Sequence, residues 1–411
     1  MARRCSTICL PFDQTTYSEL VADPAAFRAA LDRSFLAMPE LFPEGFAGGY
    51  RLKESRTSRK LGLALRRVRL KATGEAFTVR PSFALPYMAG WAADASGPLF
   101  LRAFGVPFWA IARVFGRDHD YWYRVEVALG RNSVAGTTLR RAGPPAHLLA
   151  DEHHQPRDGT KNYIATTVGA GCCLGAALAQ TAGTEDLRAA YGVFKEEAQD
   201  VRPGYAPATV SVDGWASTHQ AWLLLFPLVA LLRCFLHGWL NVRNRGKLDE
   251  SFAGLSERVW HAYHALTRRS FGQRMRRLWE WARANVSRAW LLEQVQKLCG
   301  RSKEYGKAYE YPGGRRTSNM LDRVMRGMCR YFDAGLHLHR SAEACGRHVR
   351  AWALLSNFRP WHPAVARDND GWRCPAERLN GHRYHDDWLQ NLLASASLGG
   401  YHRRSAPPPT P

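Results

Sequence analysis

Residues 207–243 read PATVSVDGWASTHQAWLLLFPLVALLRCFLHGWLNVR. A short β-branched run, Thr209 to Val212, leads straight into Asp213-Gly214. Val and Thr favour a pleated, half-buried strand, and Asp-Gly is a turn pair, so the pattern predicts a strand with a carboxylate at its tip. Roughly three turns of helix follow, at 3.6 residues per turn. A second apolar run, VALLRCFLH, predicts another strand and carries Cys234 and His237. Strands followed by helices imply a mixed α/β sheet, and in such sheets chemistry gathers at strand ends.

The flanking sequence repeats this organisation. AHLLADEHHQ, from Ala146, is a short apolar run expected to end at the acids Asp151 and Glu152. Residues 162–184 carry no charge and are long enough to span a bilayer. Their Gly, Thr, Asn and Gln content predicts instead two buried strands around Gly169-Ala170-Gly171. EDLRAAYGVFKEEAQ is an amphipathic helix with Leu187, Tyr191 and Phe194 on one face. Residues 248–299 read as almost wholly helical, rich in Trp and Arg, until Pro312-Gly313-Gly314. A further helix is expected from about Met320, with Asp322 at the edge of the stripe Leu321, Val324, Met325 and Met328. The tail RRSAPPPTP is Pro-rich and expected to be disordered.

The 411 residues include 57 Lys and Arg against 36 Asp and Glu, a formal net charge of +21. Such a field suits a polyanion, and nucleic acid is the default partner. Within the basic window 51–80, LALRRVRLKATGEAFTVRP predicts a hairpin around Thr73-Gly74. Its basic residues Arg66, Arg67, Arg69 and Lys71 are candidates to lie along a phosphate backbone. Residues 106–138 resemble a helix-turn-helix split at Gly116, with Arg117 to Leu129 as the recognition segment. Arg276, Arg277 and Trp279 lie in a run of arginines and tryptophans suited to phosphates and stacked bases. Arg315 and Arg316 precede the segment that carries Asp322. The nine cysteines form no CxxC pair, so a zinc ribbon or disulfide framework is not indicated. With no export or membrane signal, a cytoplasmic, nucleoid-associated bacterial protein is expected.

Asp151, Asp213 and Asp322 are the acids that stand out. Two Asp on neighbouring strand ends, with a third from a helix packed on the sheet, can converge on hard divalent cations. Two such ions suit an in-line phosphoryl displacement. Each acid also has a plain structural reading. Asp151 is a turn acid or yields its role to Glu152, Asp213 starts a turn, and Asp322 is a helix-capping acid after Asn319.

The order of these residues resembles the catalytic domain of DDE/DDD transposases, particularly the Mutator type of bacterial insertion sequences. The resemblance rests on Asp213-Gly214, Phe226-Pro227, Cys234-Phe-Leu-His237, Asn241-Val-Arg243 and Thr317-Ser-Asn319-Met-Leu-Asp322. It spans roughly residues 146–360, and it departs from the Mutator type in carrying Asp at the third position. It implies an α/β fold with an RNase H-like mixed sheet interrupted by an all-helical insertion, after an N-terminal α+β DNA-binding region. The implied divisions are 1–145, 146–244, 245–314 (the insertion), 315–362, and a C-terminal extension 363–411. It further implies that Asp151, Asp213 and Asp322 ligate catalytic Mg²⁺, two ions with Mn²⁺ as a substitute, and that His237 is a polar neighbour in the active site. The implied reaction is cleavage of double-stranded DNA at element ends and transfer to target DNA by a homodimer or larger assembly. A transposase-derived DNA-binding protein that no longer cuts and a structure-selective nuclease on the same fold are the alternatives.

Overall fold

The computed structural model describes residues 5–335, 338 and 340–401. The Pro-rich tail lies outside the described residues. The chain begins with β1 (Thr7–Leu10), helices α1 (Tyr17–Ala22) and α2 (Pro24–Ala37), then β2 (Tyr50–Ser58), β3 (Leu63–Leu70) and β4 (Ala76–Pro81). Asp23 starts α2 by accepting bonds from Ala25 N at 2.7 Å and Ala26 N at 3.2 Å, with Pro24 in the first turn. Such a cap is worth about 1 kcal/mol. The strands form a sheet in the order β1-β4-β3-β2. The expected hairpin is β3 paired antiparallel with β4, and Gly74 takes the positive φ that the turn demands. Phe27 and Leu31 of α2 are fully buried in the core of this unit, with Val68, Phe77 and Val79 of the sheet.

Four helices follow: α3 (Ala92–Arg102), α4 (Phe108–Phe115), α5 (His119–Leu129) and α6 (Val134–Thr138). The pair α4–α5 is the helical hairpin read as a helix-turn-helix. Trp122, Val125, Glu126, Ala128 and Leu129 of α5 are buried, leaving Arg124 as the exposed residue beyond its first turn. At the end of α5, a Cβ on Gly130 would lie 1.8 Å from the Arg347 carbonyl. A helix packed this closely is core, which leaves little of it to enter a groove.

The second sheet is built from β5 (His147–Arg157), β6 (Thr160–Gly169) and β7 (Cys172–Ala179), then α7 (Thr184–Val201), β8 (Thr209–Val212), α8 (Ala216–Leu225) and β9 (Ala230–Arg233). Its order is β7-β6-β5-β8-β9. The pairs β5–β6 and β6–β7 are antiparallel, and β5–β8 and β8–β9 are parallel. The uncharged 162–184 stretch thus forms strands, as its composition predicts. Among the described residues no helix is long and apolar enough to cross a membrane. Leu148, Ala150, Val210 and Val212 face α7 and α8, burying Leu187, Tyr191, Phe194 and Trp222 against them.

After β9 come α9 (Phe235–Gly246), α10 (Phe252–Tyr263), α11 (Arg268–Asn285), α12 (Ala289–Gly300) and α13 (Ser302–Gly306). These share their own core of Phe235, Trp239, Val259, Phe271, Leu278, Leu291 and Tyr305. The helical unit therefore starts at Phe235 and takes in residues 235–244, which the sequence reading left with the sheet. The chain then returns as α14 (Asn319–Asp333) and α15 (Ala342–Phe358), and ends through α16 (Pro363–Arg367), α17 (Pro375–Asn380) and α18 (Trp388–Ser395). The last part is no loose extension. Leu389, Leu392 and Leu393 of α18 sit in one buried cluster with Leu99, Trp122, Met328 and Trp352.

Two assignments need correction. Asp151 does not end its strand, because β5 runs on to Arg157 in a long hairpin with β6. VALLRCFLH is not one strand. β9 stops at Arg233, Cys234 is the N-cap of α9, and His237 lies in the first helical turn. An apolar run this short is equally compatible with strand and helix by periodicity alone.

Candidate active site

Parallel pairing aligns His147 with Thr209, Leu148 with Val210 and Leu149 with Ser211. Two residues further on, the same register sets Asp151 level with Asp213. Alternate residues share a face, so Leu149, Asp151, Ser211 and Asp213 lie opposite the side covered by α7 and α8. The strand β8 stops at Val212, where Gly214 turns the chain with φ +106°. Asp213 Oδ1 accepts a bond from Trp215 N at 2.9 Å, which fixes the turn into α8. A Cβ on Gly214 would lie 2.4 Å from the Arg233 guanidinium.

The first turn of α14 covers this face. Leu321 is buried with Leu149 and Val168, and Val324 and Met325 pack against them. Asp322 follows Leu321 directly, and its Oδ2 accepts from Ser318 Oγ at 3.1 Å. Its carboxylate therefore binds the Ser318 side chain rather than a free N–H of the helix end.

Asp151 feels all of these groups. Burial pushes its pKa up to about 6, the nearby Asp213 pushes the same way, and Asp322 adds to it. The Glu152 N–H, bonded to Asp151 Oδ1 at 2.9 Å, and the charge of His237 oppose the rise. Three carboxylates and an imidazole from β5, the β8 turn, α14 and α9 thus share one electrostatic neighbourhood. As the side chains stand, no three His, Cys, Asp or Glu among the described residues form a closed metal-ligand cluster.

His237 lies one helical turn after Cys234. Its contact with the Cys234 thiol has the largest influence on the imidazole. Burial opposes it, the fields of Asp151 and Asp213 reinforce it, and the pKa rises to about 9. For Cys234, burial alone would raise the thiol, but its bonds to His237 and to Ser318 outweigh burial and lower it. His237 Nδ1 is buried without a well-aligned hydrogen-bond partner among the described residues.

Glu152 points to the opposite face. Tyr191 Oη donates to its Oε1 at 2.6 Å and Thr218 Oγ1 at 2.7 Å. Burial nevertheless pushes its pKa up to about 7. It ties β5 to α7 and α8, so the sheet's alternation separates it from the three Asp.

The basic candidates divide by the same alternation. Arg66 lies on the buried face of β3 and donates to Val21 O at 2.8 Å and Ala22 O at 3.1 Å, closing the end of α1. Arg67 and Arg69 lie on the other face, and Lys71 is exposed beyond it. Arg117 is exposed with its guanidinium 5.4 Å from the Tyr121 ring centre. Arg276 and Trp279 line a basic cleft of about 1020 Å³ with Arg268, Arg269 and Lys303, whereas Arg277 faces a separate recess beside His261. Arg315 is exposed. Arg316 is held over the rings of Tyr263 at 4.5 Å and Tyr309 at 4.4 Å, so much of its cationic face is already occupied.

Sequence reasoning missed Ser318, the aromatic seat of Arg316 and the partners of Glu152. Ser318 stands inside the quoted Thr317–Asp322 segment, but nothing in its spacing marks its bonds. No protein-family model matches the chain, and no curated protein sequence is significantly similar to it.

Proposed function

We propose that the chain is a DNA transposase of the DDE/DDD type, which cuts and joins DNA with divalent cations at Asp151, Asp213 and Asp322. The observation that carries this reading is geometric: the β5–β8 register and the packing of Leu321 of α14 on Leu149 bring Asp151, Asp213 and Asp322 to the face of the sheet opposite α7 and α8. The sheet order β7-β6-β5-β8-β9, with an antiparallel flank and a parallel half, supports an RNase H-like domain. The helical unit between β9 and α14 then corresponds to an insertion between the second and third acids.

The residues fit a hard cation. Carboxylate oxygens are the ligands Mg²⁺ and Mn²⁺ prefer, and gathering three acids in a partly buried site carries a repulsion that a cation relieves. Bound there, the ions supply Lewis-acid stabilisation of an in-line phosphoryl displacement. The chain's own contribution is positional. The strands β5 and β8 hold two carboxylates level, α14 holds the third, and His237 offers an N–H toward a phosphate oxygen. Exposed Arg69, Lys71, Arg117, Arg276, Arg277 and Arg315, with half-buried Arg67, supply the field that attracts the DNA backbone, in an assembly of at least two copies on paired ends.

The test is nicking of supercoiled plasmid by the purified protein with Mg²⁺ or Mn²⁺. The expected result is metal-dependent nicking that falls at least ~100-fold in Asp213→Ala, the scale of losing a charge-stabilising group. Metal-independent nicking, or equal nicking by the variant, would refute the assignment. Tight DNA binding with no cutting by the wild type would favour the non-cutting reading.

A further inference from the structure

Residues 315–318 are stitched to β8, which leads into Asp213, and to the β9–α9 junction. Ser211 Oγ of β8 donates to Arg315 O at 2.6 Å, and Phe235 N donates to Arg316 O at 3.0 Å. Cys234 Sγ donates to Ser318 Oγ at 3.4 Å, and Ser318 Oγ donates to Asp322 Oδ2 at 3.1 Å. Ser318 is 4% exposed and Cys234 1%. Arg316 is clamped in turn by aromatic rings of the helical unit.

We infer that Ser318 is a positioning residue for the third acid: with residues 315–317 as a strap, its hydroxyl transmits the register of β8 and the β9–α9 junction to the Asp322 carboxylate. This deepens the metal-site reading above and rests on it. A hydroxyl carries one proton and accepts through its lone pairs. The ionised Asp322 can only accept, so the Ser318 proton is directed at it, with Cys234 Sγ 3.4 Å from the same hydroxyl. That bond restricts the carboxylate's rotation and leaves Oδ1 for a cation. Partners of this kind behind a metal ligand matter because a carboxylate free to rotate must be ordered when the ion binds. Removing one costs on the order of 10-fold in metal affinity.

The test measures Mn²⁺ binding to the full-length protein by electron paramagnetic resonance, with no DNA and no turnover. Wild type, Ser318→Ala, Ser318→Thr and Asp322→Asn are compared, with melting temperatures recorded to check that each is folded. The expected result is a Kd raised about 10-fold in Ser318→Ala. Asp322→Asn should weaken binding at least as much, and Ser318→Thr, which restores the hydroxyl, should stay near wild type. A folded Ser318→Ala with unchanged affinity, beside a weakened Asp322→Asn, would overturn the positioning role alone. Wild type without Mn²⁺ binding would overturn the metal site and this inference with it. Equal losses in Ser318→Ala and Ser318→Thr would mean that the pocket, not the hydrogen bond, sets the affinity, and would also overturn the inference.

Discussion

At the scale of single residues, Asp151 and Glu152 are neighbours with different tasks. Burial and the fields of Asp213 and Asp322 raise Asp151, and a cation would remove the part due to like charge. Asp151→Asn should therefore raise the melting temperature at pH 7.5 without divalent ions, by about 2 °C. Mn²⁺ should stabilise the wild type more than this variant. A scanning-calorimetry trace showing lower stability for Asp151→Asn would argue against a repulsive cluster. Glu152 is raised from 4.5 to about 7 by burial. A carboxyl with a raised folded pKa binds extra protons in the native state, so its favourable contribution is present at low pH and lost as pH climbs through that window. Glu152→Gln keeps an amide oxygen for Tyr191 and Thr218 and cannot ionise. It should flatten the fall in melting temperature between about pH 5 and 8. Parallel curves for the two proteins would count against Glu152 as the titrating group.

Among elements, α14 must hold Asp322 at one end and be anchored at the other. Tyr331, near its far end, donates to Glu126 of α5, and Glu126 also pairs with Arg102 Nε at 3.2 Å and His348 Nε2 at 3.0 Å. Glu126 and Arg102 are both buried, and Arg102 stacks 3.9 Å above the Tyr331 ring. Removing one partner of a buried ion pair leaves an uncompensated charge, so Glu126→Ala should cost about 3–5 kcal/mol in urea unfolding. A loss below ~1 kcal/mol would mean that the network adds little to the anchoring of α14. Sequence patterns revealed the elements more readily than their junctions. The hairpin β3–β4, strands β6 and β7, and helix α7 have clean alternation, turn residues or one-sided stripes, and each formed where expected. The end of β5 and the β9–α9 junction were misjudged because short apolar runs carry no signal for where pairing stops. The α4–α5 hairpin was legible as two helices. Its packing partner was not, because α15 lies far off in the chain, where His348 meets the Tyr123 ring at 5.6 Å.

For the whole molecule, Asp213 was legible because it follows a strand end and Asp322 because it edges an apolar stripe, whereas Asp151 lies within β5. The pairing of β5 with β8 and the packing of α14 on the sheet, which set where these acids lie, join segments far apart in the chain and carry no local signal. The charge balance pointed to a polyanion but did not separate Arg66, spent inside the protein, from Arg67 and Arg69 on the opposite face of the same strand. The helical unit is stitched through Arg316 to the segment that leads into Asp322. The most direct measurement of the central claim is excision in cells from a donor plasmid carrying the native flanking DNA. Wild type is run beside Asp213→Ala and Asp322→Asn at matched protein levels. Excised or joined products from wild type alone are expected. Equal products from all three would contradict the assignment of these carboxylates.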